Sequence, residues 1–192
     1  MATRRTLWLL IMMIAAIVAT APAAWAQASA PARKMPKPTV TTIYLVRHAE
    51  KDSTSNPADP TLSGVGEVRA QALSRLLARH RPTALFTTDT KRTRATLAPL
   101  AEATRLVPLV YNAKDPVTMA KWLRKEFAGQ TVVVVGHSNT LLPLIESLGG
   151  TPPVEKIGDN EYDFLFTMRL VEGVLPKVSV QGYGPERKEL AR

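Results

Sequence analysis

Apolar, β-branched runs alternate along the chain with stretches whose apolar residues recur at helical spacing. The first run, VTTIYLV over 40–46, has the composition of a buried strand. It breaks abruptly into Arg47, His48, Glu50 and Lys51, with only Ala49 between them. Charged side chains are rarely buried unpaired, so this strand is expected to open at its C-terminal edge into a polar pocket. Over 63–79, Val65, Val68, Ala72, Leu76 and Arg79 fall on one helical face, which Leu73 and Leu77 widen. Ser63 is the candidate N-cap. Gly66 weakens the first turn and so implies a close approach there.

A strand is expected over 83–88 (TALFTT), then a helix over 91–103 capped by Asp89 or Thr90 and disturbed by Pro99. Residues 106–111 read as an edge strand, because Pro108 cannot donate to a ladder. A helix over 116–127 follows. The four consecutive valines of 131–136 (TVVVVG) mark a strand buried on both faces, in the middle of a parallel sheet. A helix over 141–148 stops at Gly149-Gly150, and strands at 162–169 and 174–181 are expected to form a hairpin closing over the sheet. This alternation predicts an α/β protein, a three-layer α/β/α sandwich with a mostly parallel central sheet.

The N-terminus departs from the pattern. MATRR, an apolar LWLLIMMIAAIVAT and a small-residue APAAWAQASA have the layout of a secretory signal. Residues 1–26 are therefore expected to be removed, with Ala24 and Ala26 fitting cleavage before Gln27; a retained membrane anchor is the alternative. Residues 27–39 read as a flexible basic leader rich in Pro and Ala, 40–184 as the folded domain and 185–192 as a charged tail. Export, with a periplasmic home, is the expected location. The chain has no cysteine, so neither a disulfide framework nor thiolate chemistry is available.

Formal charge is +9, from 25 Lys and Arg against 16 Asp and Glu; loss of Arg4 and Arg5 with the signal leaves +7. This excess suits anionic partners. A phosphorylated small molecule or envelope component fits best, with transient contact to an anionic membrane surface. No aromatic interleaving points to nucleic acid.

Of the three histidines, His80 sits between Arg79 and Arg81 at a helix end and reads as a surface residue. His48 and His137 each terminate an apolar run, and parallel neighbouring strands would bring the two together. Arg47 accompanies the first, and Arg92 follows the strand over 83–88. Guanidiniums suit phosphate oxygens. A neutral imidazole can attack phosphorus, while a protonated one opposite it neutralises developing charge. Two histidines flanked by arginines make a poor cation site, so neither a metal nor another cofactor is expected.

The blocks LVRHAEK (45–51), LSGVGEVRAQAL (62–73), LFTTDTKRTRATL (85–97) and VVVVGHSNT (132–140) resemble, in order, those of the histidine phosphatase (phosphoglycerate mutase-like) superfamily. The resemblance implies a phosphoglycerate mutase-like fold and a phosphohistidine intermediate on His48. It implies phosphate binding by Arg47 and Arg92, and a second core histidine, His137, bonded to the phosphoryl group. Ser63, Gly66, Ser138 and Asn139 become pocket-rim residues. The leaving group's proton donor is not fixed by the motifs. Asp115 is the first candidate, because members of this branch often carry theirs in that segment, and Glu50 is the alternative.

The expected activity is therefore phosphomonoester hydrolysis, with phosphate or sulfate able to occupy the site. The alternatives are a non-catalytic anion-binding or envelope-binding module, or a phosphatase acting on phosphohistidine in proteins. The short stretch between Arg92 and His137 leaves no room for the insertion of the glycolytic mutases.

Overall fold

A computed structural model describes residues 38–185. The expected signal (1–26), nearly all of the leader and all but the first residue of the tail lie outside the described residues.

Six strands form one sheet in the order β3-β2-β4-β1-β5-β6. The strands are β1 (Val40–Arg47), β2 (Ala84–Thr87), β3 (Leu109–Val110), β4 (Thr131–Gly136), β5 (Phe164–Val171) and β6 (Val174–Gly182). Between them lie α1 (Gly64–Leu77), α2 (Lys91–Thr104), α3 (Pro116–Glu126) and α4 (Leu141–Ser147). β1 to β4 are parallel to one another where they pair, and β5 and β6 run antiparallel.

Side-chain alternation in the strands divides the core between two faces. Ile43 and Leu45 of β1, with Val132 and Val134 of β4, pack with Met119 and Leu123 of α3 and Leu141 and Ile145 of α4. Tyr44, Val46, Val133 and Val135 face the other way, onto Leu73 and Leu77 of α1 and Leu97 and Leu100 of α2. The sandwich is thus three-layered, and all four valines of 132–135 are fully buried.

Three local expectations need correction. The final hairpin does not close over the sheet; β5 pairs with β1 from Val40↔Val171 to Val46↔Leu165 and extends it in plane. The edge strand shrinks to two residues, both exposed, because Pro108 precludes pairing before it. The buried face of α1 also differs. It carries Gly66, Arg69, Ala70, Leu73, Ser74 and Leu77, while Val65 and Val68 are 55% and 51% exposed.

Arg69 can occupy that buried stripe because Glu50 neutralises it. Arg69 Nε donates to Glu50 Oε1 and Oε2 at 2.9 and 3.0 Å, Nη2 to Oε1 at 2.7 Å, and Nη1 to the Tyr183 carbonyl at 2.8 Å. The pair ties α1 to the segment after β1 and to the chain beyond β6.

Ser63 caps α1, accepting from the Gly66 N–H at 3.2 Å. Gly66 is needed for the approach its position implied: a Cβ there would run into the Glu50 carbonyl oxygen. Backbone cannot yield as a flexible side chain can, so we expect Gly66→Ala to destabilise the domain by about 1–3 kcal/mol, read as a lowered urea midpoint.

Candidate active site

The parallel pairing of β1 with β4 sets the geometry. Its register ends at Arg47↔Gly136, and the His48 N–H continues the ladder to the Gly136 carbonyl at 2.9 Å. His48 and His137 therefore leave adjacent strands at the same height. Their ring centroids are 5.4 Å apart with planes inclined at 66°. β2, on the other side of β4, ends at Thr87, and Thr88 follows it at the same edge. A cavity of about 690 Å³ opens there, lined by His48, Thr88, Arg92, Tyr111, His137 and neighbouring residues, including Ser138 and Asn139.

His48 is buried, and its Nδ1 lies 2.8 Å from the Ala49 carbonyl oxygen. A carbonyl can only accept, so Nδ1 carries the proton and Nε2 keeps its lone pair. The turn behind it is fixed by the Ala49 N–H, which donates to Thr96 Oγ1 of α2 at 2.9 Å. Burial, then the positive fields of Arg47, Arg92 and His137, lower the proton affinity of His48, overcoming an opposing contribution from its Ala49 hydrogen bond; its pKa falls from 6.5 to about 3.

His137 is lowered to about 4, by desolvation first and then by Arg92 and Arg47. Both rings are therefore neutral near pH 7, His48 by the larger shift and His137 by the smaller. His137 Nε2 shares a 2.9 Å hydrogen bond with Thr88 Oγ1, which lies 3.0 Å from Thr93 Oγ1. Thr93 Oγ1 is in turn 3.0 Å from the Thr88 and Thr90 carbonyls. Donation from His137 through the two hydroxyls to a carbonyl satisfies every member of this chain. Thr88 was missed in the sequence. Its only signal is its place just past the end of β2.

The two arginines are held differently. Arg92 stands in the first turn of α2, whose cap is Thr90, and its Nη1 is 3.7 Å from Asp59 Oδ1, which also accepts from the Lys91 N–H at 3.0 Å. Arg47 is buried, with Nη1 donating to the carbonyls of Gly158, Asp159 and Glu161 at 2.7, 2.9 and 3.2 Å. Its Nε is sealed without a partner, whereas Nη2 has no protein partner among the described residues and is not sealed. Arg47 is not among the residues that line the cavity, and it leaves one nitrogen, not a fork, unpaired and unsealed.

Both proton-donor candidates lie elsewhere. Asp115 caps α3, accepting from the Thr118 N–H at 3.0 Å, and lines an adjoining hollow near Trp122 that shares Val110, Tyr111 and Asn112 with the cavity. Its hydrogen bonds to Thr118 hold its carboxyl below the usual range, the opposite of what a proton donor requires. Glu50 is committed to Arg69. Ser63 and Gly66 do not line the cavity either; they support Glu50 from behind. Asp89 does line it, but its side chain is 82% exposed and is paired with Arg94 at 2.6 Å. Among the described residues no cluster of three or more His, Asp or Glu could hold a metal ion.

Residues 43–114 match the model of the histidine phosphatase superfamily, branch 1. Over that segment, which is less than half of the chain, the protein is similar to the histidine phosphatase superfamily. Solved structures share the fold at low identity. One described as mycobacterial hydrolase 1 aligns with a TM-score of 0.61 and 16% identity, over 76% of this chain and all of that one. A mycobacterial glucosyl-3-phosphoglycerate phosphatase with inorganic phosphate aligns at TM-score 0.55 and 16% identity, over 75% and 97%. The protein histidine phosphatase SixA with tungstate aligns at 0.57 and 16%, over 73% and 96%. No curated protein matches the chain in sequence. The superfamily segment ends before β4, so the pairing of His137 with His48 rests on this protein's own geometry.

Two outcomes follow from the placement of these groups. Both imidazoles bind fewer protons folded than unfolded, so the stability present with both neutral is complete above about pH 6.5 and is lost as pH falls through about 4 and about 3. The urea midpoint of the wild type is expected to drop across that window, and that of a His48→Gln/His137→Gln variant to drop less. Asp115→Ala is expected to cost about 1 kcal/mol of stability through the lost cap, with kcat on an aryl phosphate unchanged.

Proposed function

We propose that the protein is a metal-independent phosphomonoester hydrolase acting through His48. One observation supports this above the others. A neutral imidazole with its lone pair on Nε2 stands 5.4 Å, ring to ring, from a second imidazole, and two guanidiniums share their surroundings. Such a site favours a phosphate dianion and gives it a nucleophile. In the first step His48 Nε2 bonds to phosphorus and the ester oxygen leaves with the bonding pair, taking a proton from solvent or a rim group. Water then attacks phosphorus, the P–N bond breaks, and inorganic phosphate departs with His48 neutral again. The approaching dianion raises the proton affinity of His137, which then donates to the phosphoryl oxygens where charge gathers.

The proton donor shapes the substrate range. Asp89 is the sole carboxylate among the described lining residues, and it is solvent-open and paired with Arg94. Leaving groups that need little protonation are accordingly favoured. The same observation keeps phosphohistidine in proteins as a second reading, since the structural likeness to SixA is of the same order as that to the sugar-phosphate phosphatase. The N-terminal pattern supports an exported enzyme and turns the balance toward phosphorylated envelope components.

His48→Ala is expected to reduce turnover of an aryl phosphate to background, with chelators leaving the wild type unaffected. Rapid quench with a labelled phosphodonor should trap acid-labile label in the wild type and none in His48→Ala. Full activity in His48→Ala, or chelator inhibition reversed by added metal, overturns the mechanism. Arg92→Ala is expected to weaken kcat/KM by roughly 10- to 100-fold, the scale of a charge-assisted hydrogen bond.

A further inference from the structure

Arg47 is fixed by a part of the chain far from it in sequence. β5 is antiparallel to β1, so the segment entering β5 lies beside the end of β1, at the edge where the cavity opens. Three carbonyls of that segment hold Arg47 Nη1. Anchoring at one nitrogen sets a position but leaves the guanidinium free to tilt about it. The next residue removes that freedom: Arg47 Cζ lies 4.1 Å from the centroid of the Tyr162 ring. The same ring stands 6.0 Å from that of His48. Its hydroxyl makes no hydrogen bond within the described residues, so the aromatic face, not the phenol, is what the neighbours use.

We propose that Tyr162 is a positioning residue for phosphate capture: its ring fixes the plane of the Arg47 guanidinium so that the free Nη2 faces the phosphoryl group. The inference rests on the phosphatase reading of the cavity and assigns Tyr162 no contact with the reacting atoms. A guanidinium is planar and weakly hydrated, and it lies favourably on an aromatic face. With Nε sealed and Nη1 occupied, the usefulness of Arg47 depends on the direction of one N–H group. An ammonium could not be oriented in this way.

The test is calorimetric binding of inorganic phosphate, together with KM and kcat for an aryl phosphate. The proteins are the wild type, Tyr162→Phe, Tyr162→Leu, Arg47→Ala and Arg47→Ala/Tyr162→Leu, each checked by thermal unfolding. Tyr162→Phe is expected to bind phosphate within about twofold of the wild type. Tyr162→Leu, which keeps bulk but has no π face, is expected to bind about tenfold more weakly and to raise KM more than it lowers kcat. In the Arg47→Ala background the leucine substitution is expected to cost nothing further.

Wild-type affinity in Tyr162→Leu, or an equal loss with and without Arg47, overturns the proposal while leaving the phosphatase reading intact. Absence of phosphate binding and turnover in the wild type overturns both. Should the leucine chain not fold, Arg47→Lys decides. It keeps the charge but has no plane to stack, and undiminished phosphate affinity there overturns the proposal.

Discussion

The site depends on a crowding of positive charge that the fold imposes and the protein must then neutralise. The register of β1 against β4 places His48 and His137 side by side, and Arg47 and Arg92 bring two permanent charges to the same edge. Burial first, and then these neighbours, disfavour an imidazolium, and both rings stay neutral near pH 7. On the proposed reading a dianion relieves the repulsion. The same constraint would then favour an anion while leaving His48 a free lone pair.

The rest of the structure holds this arrangement by pinning each cation to groups other than the histidines. Backbone carbonyls before β5 hold one nitrogen of Arg47, and Asp59 approaches Arg92. Arg69, which does not line the cavity, pairs with Glu50 immediately behind the His48 turn. This last pair matters mechanically. Glu50 lies two residues from His48 and is tied to α1 by Arg69 and by its own carbonyl, which accepts from the Ser63 N–H at 2.9 Å. The carboxylate that resembled a proton donor in the sequence holds the turn.

Much of the fold was legible because valine and isoleucine runs report strand burial directly. The alternating faces of VTTIYLV and TVVVVG account for the sandwich, and their polar ends pointed to the two imidazoles. What was not legible depended on partners distant in sequence. The buried face of α1 could not be placed without Arg69, since only its pairing with Glu50 lets it go inside. Asp115 looked available for chemistry because nothing in the string shows that its carboxylate is spent on the Thr118 N–H. Thr88 and Tyr162 carry no motif, and each matters through a contact made by folding. How far the proton affinity of His137 falls was not legible for a similar reason: it depends on burial first and then on the field of two arginines.

The change of strand direction between β1 and β5 has a consequence for how this architecture diversifies. β2, β3 and β4 feed short connections, 88–90, 111–115 and 137–140, into the edge where the cavity opens, and an added residue there would displace His137 or Arg92. The crossing from α4 to β5 arrives from the opposite direction, with only its final residues clamped on Arg47. Val154 and Ile157 also pack on the core, so the part open to a change of length is the stretch before them, at Pro152 and Pro153. Descendants of one ancestor could remodel the mouth of the pocket there, acquiring new clients while the machinery beneath stayed the same.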